Sequence, residues 1–223
     1  MPVYLARPEG EGPWPGVVIV HDASGMGTDL RGQAEWLAGA GYLTAAPDLY
    51  YWGRRAACMF RFLREAPLGD VDAVRDHLAG RTDCSGRIGV IGFCMGGGFA
   101  LMLAPGHGYS VASVNYGALL PGVADPALEQ ACPIVGSYGG RDYLLRGAAE
   151  RLRRTLTAGG VDHDVKEYPD AGHGFLNDHA KDDVPVPMRI IAGLTGTRFH
   201  DVSARDARER ILTFFARHLR QDG

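Results

Sequence analysis

Hydrophobic positions along the chain fall into two interleaved patterns. Residues 17–20, 43–47, 87–92, 111–115, 133–138 and 164–168 are short, largely apolar runs, and 3–7 is a shorter edge candidate. Runs this short, with little polar alternation, fit strands buried on both faces. Between them the period changes to that of a helix. Leu30, Ala34 and Leu37 share a face in 28–40, as do Val71, Val74 and Leu78 in 70–78. Residues 95–104 are apolar all round, 146–158 are amphipathic, and 204–219 align Ile211, Leu212, Phe215 and Leu219. Thr28 is placed to cap the first helix, and Gly39-Ala40-Gly41 to stop it. Ser203 with Asp206 resembles a capping box for the last.

Strands alternating with helical crossovers predict an α/β fold, with a mostly parallel central sheet and helices on both faces. One domain over 1–223 is expected. Two stretches break the rhythm, 50–66, rich in arginine and aromatics, and 177–202. Insertions of this length in α/β enzymes tend to lie over the active site.

Composition narrows the function. A net charge of −3 with no basic block argues against a nucleic-acid partner. The strongly unequal use of 21 Arg against Lys166 and Lys181 reads as coding bias. The N-terminus lacks the basic start and apolar run of a signal peptide, and no apolar run approaches the ~20 residues a bilayer needs. The expectation is a cytoplasmic protein with no membrane partner. Cys58, Cys84, Cys94 and Cys132 form no CxxC pair and should stay reduced. Glycine, at 32 residues, is about twice its usual share of ~7%.

Much of that glycine surrounds one cysteine. The segment Arg87-Ile88-Gly89-Val90-Ile91-Gly92-Phe93-Cys94-Met95-Gly96-Gly97-Gly98 runs from strand through Gly-x-Cys-x-Gly into helix. This is the nucleophile-elbow pattern with cysteine in place of serine. Gly92 and Gly96 clear space around the turn, and Cys94 would stand at the sheet's carboxyl edge on a helix N-terminus. Partial positive charge there favours a thiolate, the attacking form. The Met95 N–H would face a developing oxyanion. The other three cysteines lack this context and read as packing or surface thiols.

Elbow enzymes place the acid and then the histidine after the nucleophile. Asp142 follows 133–138 in Tyr138-Gly139-Gly140-Arg141-Asp142, and His173 follows the last strand in Pro169-Asp170-Ala171-Gly172-His173-Gly174-Phe175. Each gap accommodates a helix and a strand, so Cys94, Asp142 and His173 converge at one edge. Asp142 could instead cap the next helix. Asp170 competes as the acid but is too near His173 to come from another loop. His21, His77, His107, His163, His179, His200 and His218 all lack a Gly-His-Gly loop after the last strand.

With Ala46-Pro47-Asp48-Leu49-Tyr50, these segments resemble the dienelactone hydrolase family of α/β-hydrolases over nearly the whole chain. The resemblance implies a Cys94–Asp142–His173 triad that opens esters or lactones through a thioester, with no metal or organic cofactor. It also implies an acid at Asp22 that takes the thiol proton, and a second oxyanion donor at Ala23 N–H. The family prototype has glutamate where this chain has Asp22. It also binds its substrate's carboxylate with an arginine soon after the histidine, where this chain has Gly174-Phe175-Leu176-Asn177. Arg54, Arg55, Arg61 or Arg64 could replace that arginine by bidentate pairing, or could form a solvated helical face. Tyr50, Tyr51, Trp52 and Phe60 could wall the pocket or anchor the insertion, and Phe175 is a further substrate contact candidate. The expected partner is a small-molecule ester or lactone, and the assembly a monomer or small homo-oligomer.

Two rival functions remain. A small-ligand-binding protein on the same fold would need no triad. A metal-dependent hydrolase could draw on Asp178, His179, Asp182, Asp183 and His200, though these lack ligand spacing.

Overall fold

The expected strands form one seven-stranded sheet in the computed structural model, which describes residues 1–62, 64–118, 128–184 and 197–220. In chain order the strands are β1 (Val3–Ala6), β2 (Trp14–Val20), β3 (Leu43–Pro47), β4 (Cys84–Phe93), β5 (Val111–Asn115), β6 (Ile134–Gly139) and β7 (His163–Tyr168). Their spatial order is β1-β3-β2-β4-β5-β6-β7; β1 pairs antiparallel with β3, and every other pairing is parallel. Six α-helices lie among the described residues: α1 (Thr28–Gly39), α2 (Arg55–Phe62), α3 (Leu68–Ala79), α4 (Met95–Leu103), α5 (Ala148–Ala158) and α6 (Asp201–Leu219).

Two apolar layers flank the sheet. On one side Val71, Val74 and Leu78 of α3, Leu101 and Leu103 of α4, and Leu152 and Leu156 of α5 pack together. On the other, Leu30 and Leu37 of α1 meet Ile211 and Phe215 of α6. Burial on both faces explains why β2 and β5 read as unbroken apolar runs. Because β2 to β7 run parallel, the loops after β2, β3, β4, β6 and β7 leave at one edge of the sheet. In open α/β sheets that edge is where ligands bind.

Several boundaries differ from the sequence reading for physical reasons. Strand β4 begins at Cys84, not 87, because its first turns carry exposed Ser85 and Gly86, which break an apolar run. Strand β2 begins at Trp14, paired with Cys84 before a register shift at Gly16. Helix α2 falls within the first insertion, where only Cys58 and Phe62 are buried, too sparse a stripe to reveal its period. Thr28 does not act as a cap; it is the first helical residue, and Asp183 Oδ2 accepts its amide at 2.7 Å and its hydroxyl at 2.6 Å. The Ser203–Asp206 box is not used either. His200 caps α6 by accepting from the Ser203 amide at 3.4 Å, while Asp206 binds Lys166 and Tyr168. Of the second insertion, 185–196 lie outside the described residues.

Candidate active site

Cys94 sits between β4 and α4 with φ 54° and ψ −115°, a backbone conformation that a side-chain-bearing residue rarely holds. Its neighbours make the turn possible. A Cβ on Gly92 would lie 1.9 Å from the Gly96 carbonyl oxygen, and one on Gly96 would lie 2.3 Å from the Val20 carbonyl oxygen. The Cys94 amide donates to Asn115 O at 3.0 Å, and Asn115 Nδ2 donates to Gly92 O at 3.1 Å, tying the elbow to β5. Cys94 is half-buried, and Met95 opens the first turn of α4, where backbone amides lack intrahelical acceptors.

Asp142 and His173 meet as the loop pattern requires. Gly140 N donates to Tyr168 O at 2.7 Å and Arg141 N to Ala171 O at 2.9 Å, lacing the loop after β6 to the loop after β7. Asp142 Oδ2 lies 2.6 Å from His173 Nδ1, and Oδ1 accepts the Leu144 amide at 3.0 Å. Only 1% of the Asp142 side chain is exposed. Asp170, the competing acid, is two-thirds exposed and paired with Arg141 instead. The N-cap of α5 is Gly147, so Asp142 does not serve there.

The Asp142 contact leaves Nε2 as the nitrogen available to Cys94. Burial works against a charged imidazole, but hydrogen bonding to Asp142 and to Cys94 outweighs it and raises the His173 pKa to about 10. Tyr116, itself at φ 40°, sets its ring edge-on to the imidazole at 5.2 Å. Nothing local points to Tyr116 or Asn115, because their partners are distant in the chain.

The loop after β2 brings Asp22 and Ala23 to the same edge, but Asp22 is engaged elsewhere. Its Oδ1 accepts the Ser24 amide at 2.8 Å, and its Oδ2 pairs with His179 Nε2 at 2.7 Å. The acid that the resemblance assigns to the thiol is thus paired with His179 and with the Ser24 amide. Burial opposes the Asp22 charge, yet His179 and the Ser24 amide hold its pKa below the usual carboxylate value. The pairing of His179 with Asp22 is not legible in the sequence, because nothing local links His179 to a residue before α1.

The four candidate arginines separate. Arg54 and Arg64 are exposed, and exposed Arg61 stacks on Trp52 at 4.7 Å. Trp52 and Arg61 line a hollow of about 400 Å³ that includes none of Cys94, Asp142 and His173. Arg55 is different. Its guanidinium lies 5.7 Å from the Tyr50 ring, its Nη2 is near Gly25, and its Nη1 is buried without a partner among the described residues. Tyr50 is buried and stacks on Phe62, whereas Tyr51, Trp52 and Phe60 are exposed.

The expected role of Phe175 is corrected. It is fully buried between Tyr116 and Tyr168, at 5.6 and 5.0 Å, so it is core and not a substrate contact. The suggested metal ligands also diverge: His179 goes to Asp22, Asp183 to Thr28 and His200 to Ser203. No cluster of three metal-ligating side chains occurs among the described residues. Among the same residues no helix is long and apolar enough to cross a membrane. All four cysteines are free.

A mostly parallel sheet with a strained residue at a strand-to-helix turn, followed by an acid and a histidine on later loops, defines an α/β-hydrolase. The chain belongs to the dienelactone hydrolase family, which it matches over residues 1–219, and is a hydrolase of that family. A carboxymethylenebutenolidase of Rhodococcus opacus is 29% identical over 238 residues, covering 97% of this chain and 86% of that protein. Among solved structures, m3DLH is 25% identical with a TM-score of 0.81, covering 98% and 92% of the two chains. The dienelactone hydrolase-like promiscuous phosphotriesterase P91, from metagenomic libraries, shares the fold at 21% identity, with a TM-score of 0.81 and the same two coverages.

Proposed function

We propose that the protein hydrolyses carboxylic esters or lactones through a thioester on Cys94. The thiolate attacks the acyl carbon, forming a C–S bond as the carbonyl electron pair moves to oxygen. The Met95 and Ala23 N–H groups receive that oxyanion. Collapse breaks the C–O bond, and the His173 imidazolium protonates the departing alkoxide. His173, now neutral, removes a proton from water, which attacks the thioester and expels the thiolate. Asp142 fixes the imidazole with Nδ1–H toward itself and stabilises its charged form.

One observation carries this reading: a buried Asp142–His173 pair at the sheet edge where the elbow holds Cys94 at φ 54°. The name of the Rhodococcus opacus relative supports a lactone among the substrates. Arg55, whose buried Nη1 beside Tyr50 has no partner among the described residues, supports a substrate bearing a carboxylate.

Hydrolysis of p-nitrophenyl acetate by Cys94→Ala and Cys94→Ser tests the reading. Alanine abolishes turnover, and serine retains a weak residue because positioning survives without thiolate reactivity. Native-rate hydrolysis by Cys94→Ala would overturn it.

A further inference from the structure

The segment after His173 is laced to α1 and, through one contact, to the turn that carries Ala23. Gln33 Nε2 donates to Leu176 O at 3.0 Å, Asn177 Nδ2 to Asp29 Oδ2 at 2.6 Å, and the Asp178 amide to Asp29 Oδ1 at 2.7 Å. The last side-chain contact in this series before α1 is His179 to Asp22.

That contact bears on the aim of one amide. The peptide between Asp22 and Ala23 carries the Ala23 N–H at one end and the Asp22 carbonyl at the other, pointing in opposite directions in a trans unit. His21 Nδ1 donates to that carbonyl at 2.6 Å, and its Nε2 accepts the Leu49 amide at 3.1 Å, so the ring is neutral and fixed. Its lowered pKa, caused first by burial, agrees. The next peptide is held at both ends. Tyr50 Oη donates to Ala23 O at 3.1 Å, and the Ser24 amide donates to Asp22 Oδ1. The Asp22 carboxylate is thus one of the clamps on the turn. In the same rotamer its Oδ2 pairs with His179 Nε2 at 2.7 Å.

We propose that His179 is a positioning residue that aims the Ala23 N–H at the oxyanion through Asp22, coupling the histidine loop to the oxyanion turn. The inference rests on Cys94 being the nucleophile, and it assigns His179 no contact with the reacting atoms. Losing an oxyanion donor outright costs about 10²–10³ in rate. A misaimed donor forfeits part of that, roughly 10–100-fold. Thiolate alkylation by iodoacetamide, in which the C–S bond forms as iodide leaves, develops no oxyanion and should be indifferent.

The experiment compares wild type, His179→Ala and His179→Gln. Three readouts are taken: p-nitrophenyl acetate turnover, iodoacetamide alkylation of Cys94, and hydrogen exchange of the peptide spanning 21–25. His179→Ala is expected to lose roughly 10–100-fold in kcat, with KM changed less than about threefold. Alkylation should stay within about twofold, while exchange at 21–25 accelerates and exchange around residue 94 does not. His179→Gln, which can still donate to Asp22, should recover most of the turnover. Equal loss of alkylation and turnover would place His179 on the thiol and overturn the proposal. Unchanged exchange at 21–25 would also overturn it. Exchange is read without substrate, so it decides this inference even if Cys94→Ala keeps its turnover.

Discussion

Replacing Asp142 with asparagine is the sharpest single perturbation of the site, because shape is preserved and only charge and donor pattern change. In the native protein Oδ2 faces His173 Nδ1 at 2.6 Å inside a side chain that is 1% exposed. Raising the His173 pKa from 6.5 to about 10 corresponds to roughly 5 kcal/mol in favour of the imidazolium, at about 1.36 kcal/mol per pKa unit. Burial opposes that gain, so Asp142 and Cys94 together supply more than the net. Asparagine can still accept the Leu144 amide. If it does, its NH₂ faces Nδ1 and forces the tautomer whose Nε2 carries the proton. That tautomer cannot take a proton from thiol or water, and comparable changes in catalytic triads cost about 10⁴ in kcat. Stability follows the same linkage. A folded-state pKa raised above the unfolded value contributes stability that is fully present below 6.5 and is lost as pH rises through about 10. Breaking a buried pair costs about 3–5 kcal/mol, which lowers Tm by roughly 10 °C in a protein of this size. The Tm difference between wild type and Asp142→Asn should therefore be largest near pH 6 and shrink toward pH 10. Steady-state ester hydrolysis and thermal melts across pH measure both. Turnover within threefold of wild type, with a Tm gap independent of pH, would refute the reasoning.

Three further outcomes follow from particular residues. Cys94→Gly removes a side chain from a φ of 54° and should raise thermal stability by about 1 kcal/mol while abolishing turnover, as melts and an ester assay would record. Arg55→Ala should raise KM for a carboxylate-bearing ester by roughly tenfold or more, the worth of a charged hydrogen bond. It should leave a neutral acetate ester unchanged, and equal effects on both would remove Arg55 from substrate recognition. Phe175→Ala empties a fully buried position and should cost about 3–5 kcal/mol by denaturant titration, whereas a pocket-lining side chain would cost little.

What the sequence revealed and what it hid divide along physical lines. Strand positions were legible because β2 to β6 are buried on both faces and so read as apolar runs. The elbow was legible because its backbone has no room for side chains at Gly92 and Gly96, and that constraint is written into adjacent residues. Asp142 and His173 were legible through chain order and glycine-rich loops. The hidden features all depend on partners far apart in sequence. Thr28 looked like a cap until Asp183 supplied the carboxylate. Ser203 looked like one until His200 took the position. Phe175 looked like a substrate contact beside the histidine, yet the left-handed Gly174 at φ 69° precedes it and its ring lies in the aromatic core.

The two Asp–His pairs at this edge show how the same chemistry can serve two ends. Asp142–His173 and Asp22–His179 have nearly equal contact lengths, 2.6 and 2.7 Å, and both histidine pKa values are raised against the opposing effect of burial. The carboxylates therefore do not distinguish them. The remaining ring nitrogen does. In His173 it is available to a sulfur, so a proton placed there can move to a leaving group. In His179 it is Nδ1, which is buried and has no partner among the described residues. The first pair can cycle between protonation states during a reaction, while the second is suited to holding one state and the backbone attached to it. A carboxylate one methylene longer at position 22 would reach past the Ser24 amide and loosen that hold. The short side chain of aspartate thus suits a clamp on the turn.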